Sequence, residues 1–456
     1  MVGRSAERAR LEEALRRAAR GDGNAVAVLG APGSGRTALL ATASQQAAAD
    51  GWIVRRGAGR RSEAHVDGAV VHELLGGAVV EPSAVTDAIR QLGTERPCLV
   101  TVDDLHLADG ASALAVLYAA RRLVGARVAV LLSLGAGSDH DLSGIERLEL
   151  DGLAEHEVEE LFAAVAGPVA SAVVQRVMHL TAGNPLAVID LARRSTPEQR
   201  SGVHAISDLP EVSEALVLSF AEPLRALSDP ARRALCVAAA EPTGRLDVIA
   251  GALARLGDSI DALEAAEAIG VVTLAEGRVA FDHPMRRVVA YASLAIASRR
   301  AAHRALAAAW ADPAVGVERV RHLVAGAVGP DDSLADDVQL IAEHLGRTGR
   351  DNEARTAWRA AAALSVDPRR KAAREQRAEA TTSATQQPPV SGPLAALSPA
   401  ELRVATVIAE GLTNKQTAER LFLSAKTVDA HLQSIFRKLQ VNTRAQLAVT
   451  VARSTS

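Results

Sequence analysis

The stretch AVAVLGAPGSGRTALLATASQQAAA, residues 25–49, decides the fold of the N-terminal half of this chain. A short apolar segment, Ala25–Leu29, is followed by a glycine-rich turn and then by a run of helix-forming residues. Glycines allow successive backbone N–H groups to converge on phosphate oxygens at the N-terminus of the helix that follows. The stretch therefore predicts a strand, a phosphate-binding loop and a helix.

Six residues of this loop are expected to contact the phosphates of ATP or ADP. They are Gly30, Gly33, Ser34, Gly35, Arg36 and Thr37. The hydroxyl of Thr37 is also expected to bind Mg²⁺. Arg36 stands where loops of this kind ordinarily carry a lysine, and its bulkier, forked guanidinium favours phosphate binding over hydrolysis. The alternative is a glycine-rich turn that binds nothing.

An acidic pair, Asp103 and Asp104, follows the apolar segment Pro97–Val102. Asp103 is predicted to bind Mg²⁺, and Asp104 is the candidate catalytic residue that would orient water. A solvated turn is the alternative for two adjacent acids. Apolar segments alternate with helical ones from residue 25 to residue 132, which predicts a mostly parallel sheet. Ligands of such sheets bind at the carboxyl ends of the strands, where both the loop and Asp103 would lie.

A second informative stretch is LSPAELRVATVIAEGLTNKQTAERLFLSAKTVDAHLQSIFRKLQV, residues 397–441. Ser398 with Glu401 and Thr413 with Gln416 form capping boxes, Gly411 ends the first helix, and Ser424 opens a third. At about 100° per residue, the third helix has an apolar stripe of Val428, Leu432, Ile435, Phe436 and Leu439. Residues 398–453 hold eight basic against four acidic residues, whereas the whole chain carries a net charge of −3.

Two short capped helices joined by a tight turn indicate a helix-turn-helix that binds double-stranded DNA. The alternative is an ordinary amphipathic surface helix. The segment 411–441 closely resembles the LuxR-type helix-turn-helix. That resemblance implies phosphate contacts from Thr413, Asn414, Lys415, Arg437 and Lys438. It also implies major-groove contacts from Lys426, Thr427, Val428 and His431, and a fourth helix that pairs two modules as a homodimer on DNA.

The patterns predict a multidomain α/β plus α architecture with five parts. They are a P-loop NTPase core with a helical lid (1–225), a winged-helix-like domain (226–295), a short TPR-like helical arm (296–370), a flexible linker (371–396) and a four-helix LuxR-type module (397–456). The linker assignment rests on the Thr, Ser, Gln and Pro content of the segment, and its first part, to Ala380, is open to a helical interpretation.

Motifs along nearly the whole chain resemble those of the ATP-binding LuxR-family regulators, which belong to the STAND class of signalling NTPases. They are VGR with Glu7, the phosphate loop, VDDLH, GNPLA, FDHP and the C-terminal module. The resemblance implies that Pro185 lies against adenine and that His283 senses the nucleotide phosphate. A helix-start histidine satisfied by its neighbours is the alternative for His283. The chain departs from the family at Arg36, at the strand 128–135, which lacks a following arginine, and in its short arm.

Composition argues against a membrane-spanning or a cysteine-based redox protein. The chain has 456 residues, 48% of them hydrophobic, and no apolar run approaches a membrane span. Cys98 and Cys236 form no metal or redox motif, so we expect a cytoplasmic protein with two buried thiols. The sequence predicts a transcriptional regulator, with activation implied by the resemblance and RNA polymerase as a further partner. A true ATPase and a scaffold that binds no nucleotide remain open as alternatives.

Overall fold

The computed structural model describes residues 2–77, 80–310, 316–385, 397, 399–409, 412–421, 425–439, 441 and 443–455. Within these ranges the chain forms two compact units, Met1–Ala309 and Trp310–Ser456. The first unit contains the sheet predicted around the phosphate loop. The second contains the helical arm and the C-terminal module.

The sheet of the first unit has five parallel strands in the order β2-β3-β4-β1-β5. The strands are β1 (Asn24–Gly30), β2 (Ile53–Ala58), β3 (Cys98–Asp103), β4 (Val128–Gly135) and β5 (Glu146–Leu150). The predicted parallel sheet is confirmed. Because all the strands run the same way, the loop after β1 and the acids after β3 share one edge, with the end of β4 between them. The sequence of the edge strand β5 has no apolar run that would predict a strand, because only two of its five residues are buried.

Helices pack on both faces of the sheet. They are α1 (Ser5–Ala19), α2 (Arg36–Ala49), α3 (Ala69–Leu75), α4 (Pro82–Leu92) and α5 (Gly110–Ala120). One core lies under α3, α4 and α5, and the other lies under α1 and α2. Cys98 is buried in the first of these cores, and Cys236 is buried farther along the chain, as the sequence predicts. Burial raises the pKa of Cys98 to about 11.

Helices and one hairpin complete the first unit. They are α6 (Glu155–Ala166), α7 (Ser171–Thr181), α8 (Pro185–Arg194), α9 (Pro197–Arg200), α10 (Glu214–Phe220), α11 (Glu222–Arg225), α12 (Asp229–Ala240), α13 (Leu246–Leu256), α14 (Glu264–Ala268), β6 (Val272–Ala275), β7 (Arg278–Phe281), α15 (Pro284–Ala292) and α16 (Ile296–Ala309). Strands β6 and β7 form an antiparallel hairpin that turns at Glu276 and Gly277. Helix α16, predicted to begin the arm, instead packs on α12 and α13 through buried residues such as Leu306.

The arm consists of α17 (Gly316–Gly326), α18 (Asp332–Arg347), α19 (Asp351–Leu364) and α20 (Pro368–Thr385). Helix α20 runs well into the segment predicted to be a linker, which is a correction to that prediction. The reason is Arg374, which is only 3% exposed and donates hydrogen bonds to Gln339, Ser365 and Asp336. Composition did not indicate this anchor. Residues 386–396 of the predicted linker lie outside the described residues.

The C-terminal module has the four predicted helices, α21 (Pro399–Ala409), α22 (Asn414–Leu421), α23 (Ala425–Leu439) and α24 (Arg444–Thr455). Val404, Ile408, Leu432, Ile435 and Leu447 are among the residues of their shared core. The predicted caps at Ser398 and Ser424 and the helix end at Gly411 lie outside the described residues.

Among the described residues, no single helix is long and apolar enough to cross a membrane. Helices α6 and α7 taken together have the length and apolar composition of a membrane span, but the chain bends by 103° between them.

Candidate functional site

The phosphate loop connects β1 directly to α2, as predicted. Gly33 and Gly35 adopt φ values of 75° and 97°, a region that favours glycine. Ser34 is 4% exposed, and its Oγ has no hydrogen-bond partner among the described residues. A buried hydroxyl without a partner is costly, so it is a natural contact for an anion held at the start of α2. Thr37 is exposed in the first turn of that helix.

A second loop docks on the phosphate loop through Asn184, a residue that the sequence analysis did not assign. The Asn184 side chain donates a hydrogen bond to the carbonyl of Pro32 at 2.8 Å and accepts one from the N–H of Ala187. Asn184 therefore caps α8 and holds Pro185 beside the loop. Its position one residue before Pro185 was the available signal, because asparagine before proline is a frequent N-cap.

Arg4 holds the phosphate loop from the other side. Its guanidinium, 7% exposed, donates hydrogen bonds to the carbonyls of Ser34 and Asp151 and pairs with Glu7 at 2.8 Å. The segment containing Arg4 and Glu7 thus links the loop to the end of β5. In the structure, this N-terminal motif therefore positions the phosphate loop.

These segments surround a cavity of about 390 Å³, within the size range of small-molecule sites. Its lining includes Gly30, Ser34, Asn184, Pro185 and His283, which come from distant parts of the first unit. The structure therefore brings the two residues implied by resemblance, Pro185 and His283, together with the loop. Glu149 and Asp151 also line the cavity.

His283 caps α15 as well as lining the cavity. Its Nδ1 accepts a hydrogen bond from the N–H of Met285 at 3.0 Å, and its ring lies 5.2 Å from that of Phe220. Burial, with a smaller effect of the Arg286 cation, lowers the pKa of His283 to about 4. A neutral ring that accepts at Nδ1 carries its proton on Nε2 and can donate there. The structural and the sensing interpretation are therefore compatible.

The pKa of His283 predicts a loss of stability in acid. The unfolded imidazole binds a proton near pH 6.5 and the folded one only near pH 4, so stability falls as pH falls between these values. His283→Asn keeps a capping side chain and removes the titration. We expect its thermal melting to lose less stability than the wild type between pH 7 and pH 5, by about 1 kcal/mol. Equal losses in both proteins would contradict this cause.

Arg36 does not point toward the phosphate loop's N–H groups. One nitrogen of its guanidinium donates to the carbonyl of Gly30 and, at 3.0 Å, to that of Leu134. The other donates to Asp104 Oδ1 at 2.8 Å. The side chain is 12% exposed and crosses the end of β4 to reach the acid that follows β3. The candidate catalytic carboxylate is thus paired with the residue that replaces the usual lysine.

Asp103 is also held by protein donors. Its Oδ1 accepts a hydrogen bond from the Ser133 hydroxyl and one from the Asp104 N–H at 3.2 Å. The Asp104 N–H also donates to Ser133 Oγ at 2.8 Å, and Asp104 has a φ of 46°, uncommon for a residue with a side chain. Ser133, fully buried on β4, was not predicted to take part.

The predicted Mg²⁺ ligands, Thr37 and Asp103, do not form a prepared metal site. A hard cation such as Mg²⁺ binds carboxylate oxygens most readily when they are solvated and not already hydrogen-bonded to protein donors. Here Asp103 is bonded to Ser133, and Asp104 is paired with Arg36. One oxygen of each acid thus already has a protein donor, which makes these residues a less favourable Mg²⁺ site than the sequence predicts.

In the C-terminal module, the second capping box is confirmed. The N–H of Thr413 donates to Gln416 Oε1 at 2.9 Å, and the N–H of Gln416 donates to Thr413 Oγ1 at 3.3 Å. Asn414 donates a hydrogen bond to Asp429 and accepts one from Arg444. The predicted phosphate ligand Asn414 thus connects three helices, α22, α23 and α24.

One DNA contact predicted on α23 requires correction, and another has a structural partner. Val428 is fully buried and packs in the module core with Leu432 and Ile435, so it cannot reach a groove. Lys438 pairs with Glu401 of α21 at 2.6 Å, and the same carboxylate accepts from the Ser434 hydroxyl at 2.7 Å. Glu401 thus attaches α21 to α23.

The outward face of α23 includes Asp429, Gln433 and Arg437, spaced four residues apart and all exposed. His431 is half-buried. Thr413 is exposed at the start of α22. Lys415 lies on α22 and Lys426 and Thr427 lie in the first turn of α23, but their side chains fall outside the described part of the structure. Asp429 and Gln433 were not assigned from the sequence.

Two protein families match separate segments of the chain. Residues 1–132 match the family described as AAA ATPase domain, and residues 395–451 match the bacterial regulatory proteins of the luxR family. An HTH-type transcriptional regulator of Mycobacterium tuberculosis is 38% identical over 97 residues, which is 21% of this chain and 10% of that protein. The transcriptional regulatory protein LiaR of Bacillus subtilis is 46% identical over 57 residues, 12% of this chain and 27% of that protein.

Likeness to solved structures is slight. The Walker-type ATPase of Pyrococcus abyssi aligns with 64% of this chain and 96% of its own length, at 13% identity and a TM-score of 0.40. A STAND protein with a tetratricopeptide repeat sensor from Pyrococcus horikoshii aligns with 96% of this chain and 65% of its own, at 12% identity and a TM-score of 0.32. The segment matches are more specific: this chain carries an AAA ATPase domain at residues 1–132 and a module of the bacterial luxR family of regulatory proteins at residues 395–451.

Proposed function

We propose that this protein is a sequence-specific, DNA-binding transcriptional activator whose DNA affinity depends on ATP or ADP bound in the first unit. As in STAND-class switches, nucleotide would favour one of two arrangements of the chain, and only a difference in its affinity for the two can shift the population. The module at residues 395–451 would bind operators as a homodimer and recruit RNA polymerase.

The observation that carries the nucleotide part of this proposal is the convergence at one cavity. The phosphate loop, the end of β5, the Asn184 loop and His283 are far apart in sequence and meet around Ser34, whose buried hydroxyl has no partner among the described residues. Phosphates at the start of α2 would satisfy that hydroxyl and the loop's N–H groups together. A cavity built from five segments, the fifth being the residues after β4, can also change shape when its ligand leaves.

Hydrolysis is not part of the proposal. A residue that orients water needs a carboxylate available to accept a proton or a hydrogen bond from it. Asp104 is the candidate, and its Oδ1 is paired with Arg36 at 2.8 Å. The chain would therefore respond to which nucleotide is bound, with little or no turnover. Phosphate release by the purified protein at rates typical of ATPases would contradict this view.

Arg437 gives a direct test of DNA binding. It is exposed in the last turn of α23, where we expect it to contact a backbone phosphate. Arg437→Ala should weaken binding of the full chain to a site selected from random DNA and to unrelated DNA, and should reduce the slope of log K against log salt by about 1. Fluorescence anisotropy at several salt concentrations measures both effects.

Arg359→Ala is the matched control, because Arg359 is exposed on α19 of the arm and the change in charge is the same. It should leave the salt slope unchanged. An equal effect of both substitutions would show that overall charge, not the face of α23, governs binding. Failure of the wild type to enrich any sequence would contradict the sequence-specific proposal.

A further inference from the structure

We propose that Arg36 serves as the resident cation of the nucleotide site, so that ATP or ADP binds here without Mg²⁺. This inference rests on the proposed nucleotide binding and concerns which group supplies the positive charge at that same site. It departs from the sequence-based expectation that Thr37 and Asp103 bind the metal. The argument depends on where the Arg36 guanidinium lies and on what the two acids already contact.

The guanidinium has three acceptors, on three different strand ends. They are the carbonyl of Gly30 at the end of β1, the carbonyl of Leu134 near the end of β4, and the carboxylate of Asp104 after β3. Backbone carbonyls at strand ends are fixed by the sheet, so they hold the guanidinium in one orientation. A planar fork can satisfy several acceptors at once, whereas a lysine ammonium is a single point of charge.

One of the two acids is consequently paired with a cation, and the other is hydrogen-bonded within the protein. Asp104 has the Arg36 cation at 2.8 Å, and Asp103 accepts from Ser133 and from the Asp104 N–H. Ser133 is fully buried, so its hydrogen bond to Asp103 is shielded from water. One oxygen of each acid is therefore already held by a protein donor and is less available to a divalent ion. Phosphates bound at the loop would meet one carboxylate paired with Arg36 and one hydrogen-bonded carboxylate instead of two open ones.

The phosphates themselves have other partners. The loop offers the N–H groups at the start of α2 and the Ser34 hydroxyl, which has no partner in the described structure. Among the described residues that line the cavity there is no lysine or arginine. Binding through backbone dipoles and a hydroxyl requires no metal bridge, and the Arg36 contacts need not break when the ligand enters. The resulting site holds nucleotide but leaves Asp104 unable to orient water.

The test is isothermal titration of the full-length wild type with ADP and with ATP, each in excess Mg²⁺ and in EDTA. We expect the Kd for each nucleotide to differ by less than about twofold between the two conditions. A Kd that is about tenfold or more weaker in EDTA would overturn the inference and leave the proposed nucleotide binding intact. No binding under either condition would overturn both.

Arg36→Lys provides the contrasting variant. A single ammonium cannot keep all three contacts while meeting phosphate, so Asp104 would become available to a metal. We expect its nucleotide Kd to become at least about tenfold weaker in EDTA than in Mg²⁺. Arg20→Lys, an exposed change of the same type on the first unit, should behave as the wild type. If Arg36→Lys also binds equally well in both conditions, Arg36 is not the cause of metal independence and the proposal fails.

Discussion

Replacing Lys438 with methionine is expected to destabilise the C-terminal module by about 2 kcal/mol, a large fraction of the stability of a small domain. The substitution leaves the Glu401 carboxylate, 7% exposed, without the cation that lies 2.6 Å away. A neutral hydroxyl such as that of Ser434 does not replace a charged partner. Methionine preserves the length and the apolar stem of the side chain, so the effect reports the lost charge.

Hydrogen exchange of the α23 amides in the full-length protein measures this effect locally. Protection should collapse in Lys438→Met and should be largely restored when Glu401→Gln is added, because the buried charge is then gone. DNA binding should fall and recover with it, on specific and unrelated sequences alike. If Lys438→Met lowers DNA affinity while α23 stays protected, the lysine acts on phosphate directly and its structural role is wrong.

The features that could be predicted from the sequence differ between the two ends of the chain. Local sequence patterns predicted the phosphate loop, the strand before Asp103 and the parallel sheet. Each of these depends on nearby glycines or on runs of buried apolar residues. The contacts of Arg36 could not be predicted in this way. They depend on β4 lying between β1 and β3, which places the end of β4 within reach of the Arg36 side chain at the start of α2.

In the C-terminal module, helical periodicity included Val428 in the apolar stripe, whereas the resemblance implied a groove contact for it. Packing settles its position, since α21 and α22 both pack against α23 and Val428 lies in their shared core. Glu401 shows the same limit. Its spacing from Ser398 fits a local cap, and only tertiary structure shows that it reaches across to α23. Asn414 was assigned from resemblance without the partners that give it its role, and Asn184 was not assigned.

Replacing Gly33 with valine is expected to abolish nucleotide binding. Gly33 has a φ of 75°, which a β-branched residue adopts only under strain. A Cβ there would lie 2.7 Å from Leu186 Cβ and 2.8 Å from Asn184 Oδ1, so the loop that presents Pro185 would have to move. Gly257→Val is the matched control. Gly257 has a φ of 80° but no atom within 4 Å of the added Cβ, so it should cost stability without affecting the site.

The most direct test of nucleotide-gated DNA binding is the Kd of the full-length protein for its selected DNA site, measured without nucleotide, with ADP and with ATP. We predict that the wild type and Gly257→Val change their Kd by about tenfold or more between at least two of these conditions. Gly33→Val should have one Kd throughout. A wild-type Kd that is the same in all three conditions would contradict the account, since the nucleotide would then have no influence on DNA binding.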